Sequence, residues 1–600
     1  MRFKSIKTDG YTIYAVSGVN TISFAIDFED ADTTGLLGFA VERHDLENSE
    51  RYFMKGYKVF KEVIQHPDKN TEVSTFDHPV QSFVWDDFTA KPSNRYEYFF
   101  YPIKGKAKNL DRTAKPIPIT VQAEPLYDSN DGHDVFFNRG VASSQAFAKR
   151  FKNSTPDKIE DPEGKEKVLA WLSRDLKDAI IKFIEQAKLG DTLLACFYEF
   201  RYKPVAHAFK AAMERGVNVK IIIDAKVNES TDKDGKFHES FPREDNLRII
   251  KDAKIAQANI IKREANQDKI QHNKFIVYLK GNSQKPTSVW TGSTNISEGG
   301  IFGQTNVGHW VKNEATAIEF KKYWEILSKD PGGEPGDERS AKIKKNDEYK
   351  KEVMAVQGDI KSDQISKIPV GVTPIFSPRQ GLAMLETYAE MLDSANDYSA
   401  ITLAFGINDV FKKLLVDNTA KDQITFMLLE KKDKPNPRSK KQFTYVGAGN
   451  NVYKAWGSYL KDPLYQWTKE VNTKMIGLNQ HVAYIHSKFL LVDPLGNDPI
   501  VVTGSANFSD ASTRDNDENM IIIRGNKRVA DIYFTEFNRL FNHYYFRSVY
   551  ESQNNEDEKS TENNLFLFPT DEWLDKYKQG KLRYKRVKVF CKVQGVKKID

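Results

Sequence analysis

The sequence predicts an α/β protein built from two αβ repeats that fold against each other as a pseudo-dimer, preceded by an all-β sandwich domain. Three observations predict this. Strand-like apolar runs alternate with helical periodicity twice over between roughly residues 130 and 590. A cluster of polar residues in the second half recurs in the first half at near-equal offsets. Residues 1–125 show short alternating runs separated by Gly, Asn and Asp.

Composition bounds the reading. Six hundred residues imply several domains, and 40% hydrophobic with 12% aromatic content is enough for sizeable cores. A net charge of +6 is small for this length, compatible with anionic partners without requiring one. Cys196 and Cys591 are the only cysteines, which argues against a disulfide framework and a cysteine-rich metal site. The N-terminus lacks the apolar core of a signal peptide, and no stretch approaches the length of a membrane span. The expectation is a soluble cytoplasmic protein without a cofactor.

In chain order, Tyr11–Val16, Thr21–Phe28, Gly38–Glu42 and Tyr96–Ile103 read as strands of the first domain, with Tyr96, Tyr98 and Phe100 on one face. This pattern resembles an immunoglobulin or fibronectin type III sandwich. Asp134–Phe151 enters the first repeat, residues 130–330, and carries Arg139, a candidate phosphate contact or structural anchor. Leu169 to Ala187 repeats at three and four, predicting one amphipathic helix. Strands at 193–196 and 217–223 flank a helix at 204–215, which predicts a largely parallel sheet. Ile260 and Ile261 mark another strand, and 315–327 a closing helix with core aromatics. Residues 331–370 read as a linker, rich in Pro, Gly and charge at its start, whose Lys/Glu run suits a solvated helix.

The second repeat, 371–600, follows the same order. A helix is expected at 380–392, strands at 401–405 and 424–429, a helix at 410–416 and a closing helix at 529–541. The basic run 431–441 reads as solvent decoration, 554–564 as a mobile loop, and 573–590 as a basic strand-like tail.

The chemistry lies in the stretch His486 to Glu518. It reads H-S-K-F-L-L-V-D, then T-G-S-A-N-F-S, then N-D-E-N. Short apolar runs deliver His486, Lys488, Gly504, Ser505 and Asn507 to adjacent strand ends, among small residues that let a ligand approach the backbone. An imidazole, an ammonium and an amide suit a phosphodiester: the cation and the amide hold phosphate oxygens while the histidine attacks phosphorus or moves a proton. Upstream, His272 and Lys274 open Q-H-N-K, Gly292, Ser293 and Asn295 sit in T-G-S-T-N, and Asn306 follows. His486 lies 214 positions after His272, Asn507 lies 212 after Asn295, and Asn516 lies 210 after Asn306. These offsets indicate an internal duplication.

These residues resemble the double-motif phospholipase D superfamily, whose signature is H-x-K-x4-D followed by G-S-x-N. The second copy matches it throughout. The first departs from it at Leu279, where the second has Asp493, and on this alignment Gly308 stands where the second has Glu518. The resemblance covers roughly residues 130 to 590, and the tail is similar to those of bacterial phospholipase D-like proteins. It implies two motifs face to face across a pseudo-two-fold axis, with His272 and His486 as the reacting pair. One histidine attacks phosphorus and forms a phosphohistidine; the other protonates the leaving alkoxide and then activates water. Family order gives the attack to His272.

Beside the histidines, Lys274 and Lys488 would neutralise phosphoryl oxygens in place of a metal. Asn295 and Asn507 would add donors, and Ser293 and Ser505 either brace the site or fill tight turns. Gly292, Gly504 and Asp493 read as structural. Glu518 is expected behind His486, fixing its tautomer, which leaves His272 without such a partner. Two histidines without an acidic cluster make a poor divalent-metal site, so no metal is expected. The partner is a phosphodiester. Phospholipid is favoured by a narrow margin over DNA or RNA, and peripheral membrane contact and a protein partner through the β domain stay open. The third reading is a non-catalytic binding protein, against which intact His272, Lys274 and Asn295 argue.

Overall fold

The computed structural model describes residues 1–67, 71–140, 150–151, 156, 159–233, 235–266, 268–418, 422–435, 442–457, 484–553 and 566–597. The expected loop at 554–564 and parts of 141–151 and 431–441 fall outside these residues.

The N-terminal region is β-rich and forms two antiparallel sheets. One orders strands Arg2–Lys4, Thr12–Ser17, Ile22–Asp27 and Val84–Asp87; the other centres on Leu36–Asp45 and Arg95–Lys106, which also pairs Ile117–Gln122. Along Arg95–Lys106 burial alternates, so Tyr96, Tyr98 and Phe100 enter the core with Ile13, Phe24 and Val41.

That core is completed from the far end of the chain. Trp573, Tyr577 and Val587 are buried in it, and Phe566–Leu567 pairs in parallel with Val59–Phe60. The tail is therefore not a strand. It is a 3-10 turn, Asp571–Tyr577, followed by the helix Leu582–Cys591. The helix is wedged between two cores: Val587 faces the β-rich region, while Val589 and Phe590 face the repeats.

Each repeat carries a seven-stranded sheet of one topology. In the first the order is His133–Phe137, Val307–Val311, Lys285–Gly292, Lys274–Lys280, Thr192–Phe197, Asn218–Asp224, Ile260–Arg263. In the second it is Gly371–Ser377, Glu518–Arg524, Ile500–Gly504, Phe489–Val492, Tyr398–Leu403, Ile424–Leu429, Val452–Trp456. The expectation of largely parallel sheets is corrected: only the last two pairings of each sheet are parallel. The motif strands connect as hairpins, which forces antiparallel pairing, and the parallel pairs are joined by longer crossover connections.

The outer face of each sheet is covered by its own helices, and the inner faces share one core. That core joins Phe275 and Val277 of the first sheet to Phe489 and Leu491 of the second through the closing helices Glu314–Leu327 and Lys527–Gln553. The predicted helix from Leu169 to Ala187 is instead two, Pro162–Ser173 and Leu176–Glu185. Arg174 breaks them with a φ of 52°, placing its guanidinium on both carboxylate oxygens of Glu536 and on Phe137 O. The apolar spacing continues across the break because both helices cover the same sheet.

The segment between the repeats is more than a linker. Arg339–Val356 is a helix whose Tyr349 and Val353 are buried. Tyr349 Oη donates to Asp517 Oδ1 at 2.7 Å, and Arg263, fully buried, holds Asp517 Oδ2 at 2.9 Å and Asp330 Oδ1 at 2.6 Å. This network ties the first repeat, the joint and the second repeat together. Arg263→Ala is expected to cost about 3–5 kcal/mol, because it strands the buried Asp517 carboxylate. Urea denaturation checks it; the double variant Arg263→Met, Asp517→Leu should recover most of the loss.

Candidate active site

The two motif strands meet at the pseudo-two-fold axis through a matched pair of backbone contacts. His272 N donates to Asp517 O at 2.9 Å, and His486 N donates to Thr305 O at 3.2 Å. Each histidine is thereby fixed to the residue preceding its own side-chain partner. The rings stand 6.4 Å apart at 74° and line one cavity of ≈ 510 Å³ with Glu199, Asn295, Phe405 and Asn507.

The side-chain partners are crossed. His272 Nδ1 lies 2.9 Å from Glu518 Oε2, and His486 Nδ1 lies 2.9 Å from Asn306 Oδ1. The expectation that Glu518 stands behind His486 and leaves His272 bare is therefore corrected. So is the alignment behind it. Gly292 pairs with Gly308 and Gly504 with Met520, a constant shift of 212, which makes Asn306 the counterpart of Glu518. Counting from the G-S pair gives this register; counting back from the acidic loop does not.

With Nδ1 engaged in each ring, both Nε2 atoms are left for the cavity. Asn306 Oδ1 also accepts from Ser293 Oγ at 2.8 Å, and Ser293 Oγ in turn accepts from Val307 N. Ser505 Oγ does the same for Asn519 N at 2.9 Å. Both serines thus brace the strand that carries the histidine's partner. The preceding glycines are required by close approach: a Cβ on Gly292, whose φ is +136°, would lie 2.3 Å from Val307 O, and one on Gly504 2.2 Å from Asn519 O.

Lys274 and Lys488 are buried beneath the rings, and each Nζ donates to the carbonyl oxygen of the histidine two residues earlier. Among the described residues neither has a carboxylate within ion-pair distance. Burial pushes Lys274 down to about 7 against the pull of Glu518 and Glu199. Burial and the neighbouring Lys274 push Lys488 well below the ordinary lysine range. Burial also lowers both histidines, His486 further, because Lys488 and Lys274 face it while Glu518 opposes the shift at His272. Burial alone would raise Glu518; the His272 ring and Lys274 hold it below its usual range. A bound dianion therefore restores charge to the lysines. Sulfate, whose own charge is constant, is expected to bind up to about tenfold more weakly per pH unit above about 7, with proton uptake on binding. Calorimetry across neutral and alkaline pH checks this; a dissociation constant flat with pH would contradict it.

Asn295 Nδ2 donates to Glu199 Oε1 at 2.8 Å, while Asn507 lies in the same cavity with its Oδ1 buried and unpaired. Asp493 is outside the cavity. Its φ is 43°, and its carboxylate accepts from the amides of Asn396, Asp397 and Tyr398, fastening the start of Tyr398–Leu403. The first repeat makes the same brace from the other strand: Asp191 accepts from Gly281 N at 2.7 Å and Tyr278 Oη at 2.8 Å. That exchange explains Leu279. Arg139 donates to Trp171 O at 2.9 Å and lies over the Trp171 ring, so it serves as an anchor. Sequence reasoning missed Glu199, Asp191 and Phe405, none of which belongs to a motif. Among the described residues no group of three or more His, Cys, Asp or Glu gathers to hold a metal, and no helix is long and apolar enough to cross a membrane.

A family model described as the cardiolipin synthase, phospholipase D-like domain matches residues 180–327 and 388–541. No curated protein matches. Among solved structures, the chain is similar to phosphatidylserine synthase of Haemophilus influenzae Rd KW20 at 11% identity, covering 70% of this chain and 93% of that one, TM-score 0.42. It is also similar to Nuc of Salmonella typhimurium, a phospholipase D family member, at 18% identity, covering 29% of this chain and 95% of that one, TM-score 0.20. A third similarity is to polyphosphate kinase of Porphyromonas gingivalis at 11% identity, covering 59% and 46%, TM-score 0.34.

Proposed function

This chain belongs to the phospholipase D-like family that the cardiolipin synthase domain model describes, and from that premise we propose that it breaks a phosphodiester bond through a phosphohistidine on His272. The observation that carries the reading is the unequal pair of histidine partners across one cavity, Glu518 on His272 and Asn306 on His486. A carboxylate at Nδ1 holds the neutral ring with its Nε2 lone pair toward the substrate and stabilises the cation that forms on attack. Family order gives the attack to the same histidine.

In the first step His272 Nε2 bonds to phosphorus, the bond to the leaving alkoxide breaks, and His486, held as the imidazolium by the bound phosphodiester anion against the effect of burial, gives that oxygen the proton on its Nε2. In the second step water attacks phosphorus, His486 takes its proton back, and the P–N bond breaks. Lys274 and Lys488 carry positive charge under the equatorial phosphoryl oxygens as negative charge builds there. Asn295 and Asn507 flank them. Phospholipid, the substrate the sequence favours, and nucleic acid both present this bond.

The test is a rapid quench with a slow substrate such as bis(p-nitrophenyl) phosphate, followed by mass spectrometry. The adduct is expected on His272, and turnover is expected to survive EDTA because lysines stand where a metal would. An adduct confined to His486 would reverse the assignment; none on either histidine would sink the covalent route.

A further inference from the structure

A second groove opens beside the cavity, outside the carboxyl ends of the parallel strands Tyr398–Leu403 and Ile424–Leu429, where open α/β sheets collect ligands. It measures ≈ 660 Å³ and shares Phe405 with the cavity. Phe405 is 67% exposed, a large apolar ring presented to solvent at the mouth of a polar site. Lys431, Lys432 and Lys434 are exposed along the same groove.

The acids of this loop are engaged inward. Glu430, buried, accepts from the amides of Tyr484 and Ile485 at 3.1 and 2.7 Å, which fixes the groove wall to the segment entering His486. Asp433 holds the buried Lys412 at 2.9 Å. Asp409 also lines the groove. The outward side carries three ammonium groups, with Lys432 Nζ over the Trp456 ring at 5.2 Å, and the exposed Asp409, beside an aromatic ring that also lines the cavity of the two histidines.

The first repeat differs at the two matching positions. Two residues after its strand Thr192–Phe197 stands Glu199 instead of Phe405. Two residues after Asp224 stands Lys226, buried and paired with Asp224 at 3.3 Å. At these two positions the pseudo-symmetry of the motif strands fails: an exposed ring and an exposed lysine in the second repeat stand against a carboxylate and a buried, paired lysine in the first.

We propose that this groove is a track for single-stranded nucleic acid, with one base stacked on Phe405 and successive phosphates on Lys431, Lys432 and Lys434. The proposal rests on the phosphodiesterase reading and names its substrate class. A cationic groove joined to an exposed ring is the combination that holds single strands without reading sequence. A glycerophospholipid such as phosphatidylglycerol offers one phosphate and two acyl chains. Three rim lysines call for several phosphates, and one ring does not cover two chains.

The test uses the full chain with His272→Ala to prevent cleavage, and fluorescence anisotropy of a labelled oligothymidylate. Phe405→Ala is expected to weaken binding about 5- to 100-fold, and Phe405→Trp to retain it. Replacing all three lysines with serine is expected to weaken it at least about tenfold and to reduce the slope of log affinity against log salt by about two. Melting temperatures confirm that each variant is folded. Unchanged affinity in these variants overturns the proposal. So does equal affinity for a duplex, or failure to bind oligothymidylate while the protein sediments with phosphatidylglycerol vesicles. Turnover of bis(p-nitrophenyl) phosphate by the unaltered protein reports separately on the phosphodiesterase reading: its absence beside lysine-dependent strand binding would sink that reading and leave the groove standing.

Discussion

Glu518→Gln is expected to lower kcat by about 10³- to 10⁴-fold while leaving the fold intact. The glutamine fills the same buried volume but can present its NH₂ to His272 Nδ1, now 2.9 Å from a carboxylate oxygen. That selects the tautomer with a proton on Nε2, and the ring loses the lone pair that must reach phosphorus. Glu518 also raises the affinity of His272 for a proton against the effect of burial. Without it the pKa falls further, so the rising limb of the pH profile of kcat/KM should move to lower pH. A residue that merely packs would reduce rate without moving that limb. Asn306→Ala removes only a neutral partner from His486 and should cost less. A Glu518→Gln enzyme within tenfold of the parent, or with an unmoved limb, would show that the carboxylate does not orient the nucleophile.

Lys488→Met should make the protein both slower and more stable. Loss of a preorganised cation beneath the phosphoryl group costs about 10²- to 10³-fold in kcat. The same ammonium is fully buried with no carboxylate in ion-pair distance among the described residues, its Nζ donating to His486 O. Methionine keeps the stem and removes the group that resists burial, a gain of about 1–3 kcal/mol. The pH dependence has a definite sign. The folded-state pKa lies below the unfolded one, so the unfolded chain binds the proton over the window between them and the parent loses stability as pH falls through it. The advantage of methionine should therefore be largest near or below neutrality and disappear above about 10.5, the ordinary lysine value. Chemical denaturation at several pH values checks this; a less stable variant would mean that Lys488 has a partner that outweighs its burial.

The histidines, lysines, asparagines and glycines of the site were legible because each motif is local: the spacing alone puts them at the ends of paired hairpin strands. The crossing of Glu518 to His272 was not legible, since it depends on two segments 246 positions apart meeting at the axis. The same holds for the Asp191 brace, whose carboxylate had moved to a neighbouring strand. The α/β repeats and the β-rich start followed from periodicity, which reports what is buried but not what buries it. That is why one apolar period ran through the break at Arg174, and why Leu582–Cys591 looked extended. Its burial is set by two surfaces the local pattern does not contain. The mixed strand directions follow from hairpin connections that alternation of elements cannot distinguish from crossovers.

The seating of Trp573, Tyr577 and Val587 among the N-terminal strands sets an order of events during synthesis. The β-rich region leaves the ribosome before the tail, yet three side chains that complete its core are made about 450 residues later, a delay of roughly 20–90 s at usual elongation rates. Throughout that interval the nascent chain carries an open apolar face and unpaired strand edges. Folding of this region alone leaves its core incomplete, and it should gain full protease resistance only after the tail is made. Ribosome-bound chains stalled before Phe566 should show the N-terminal strands cleaved by protease, and full-length chains should not.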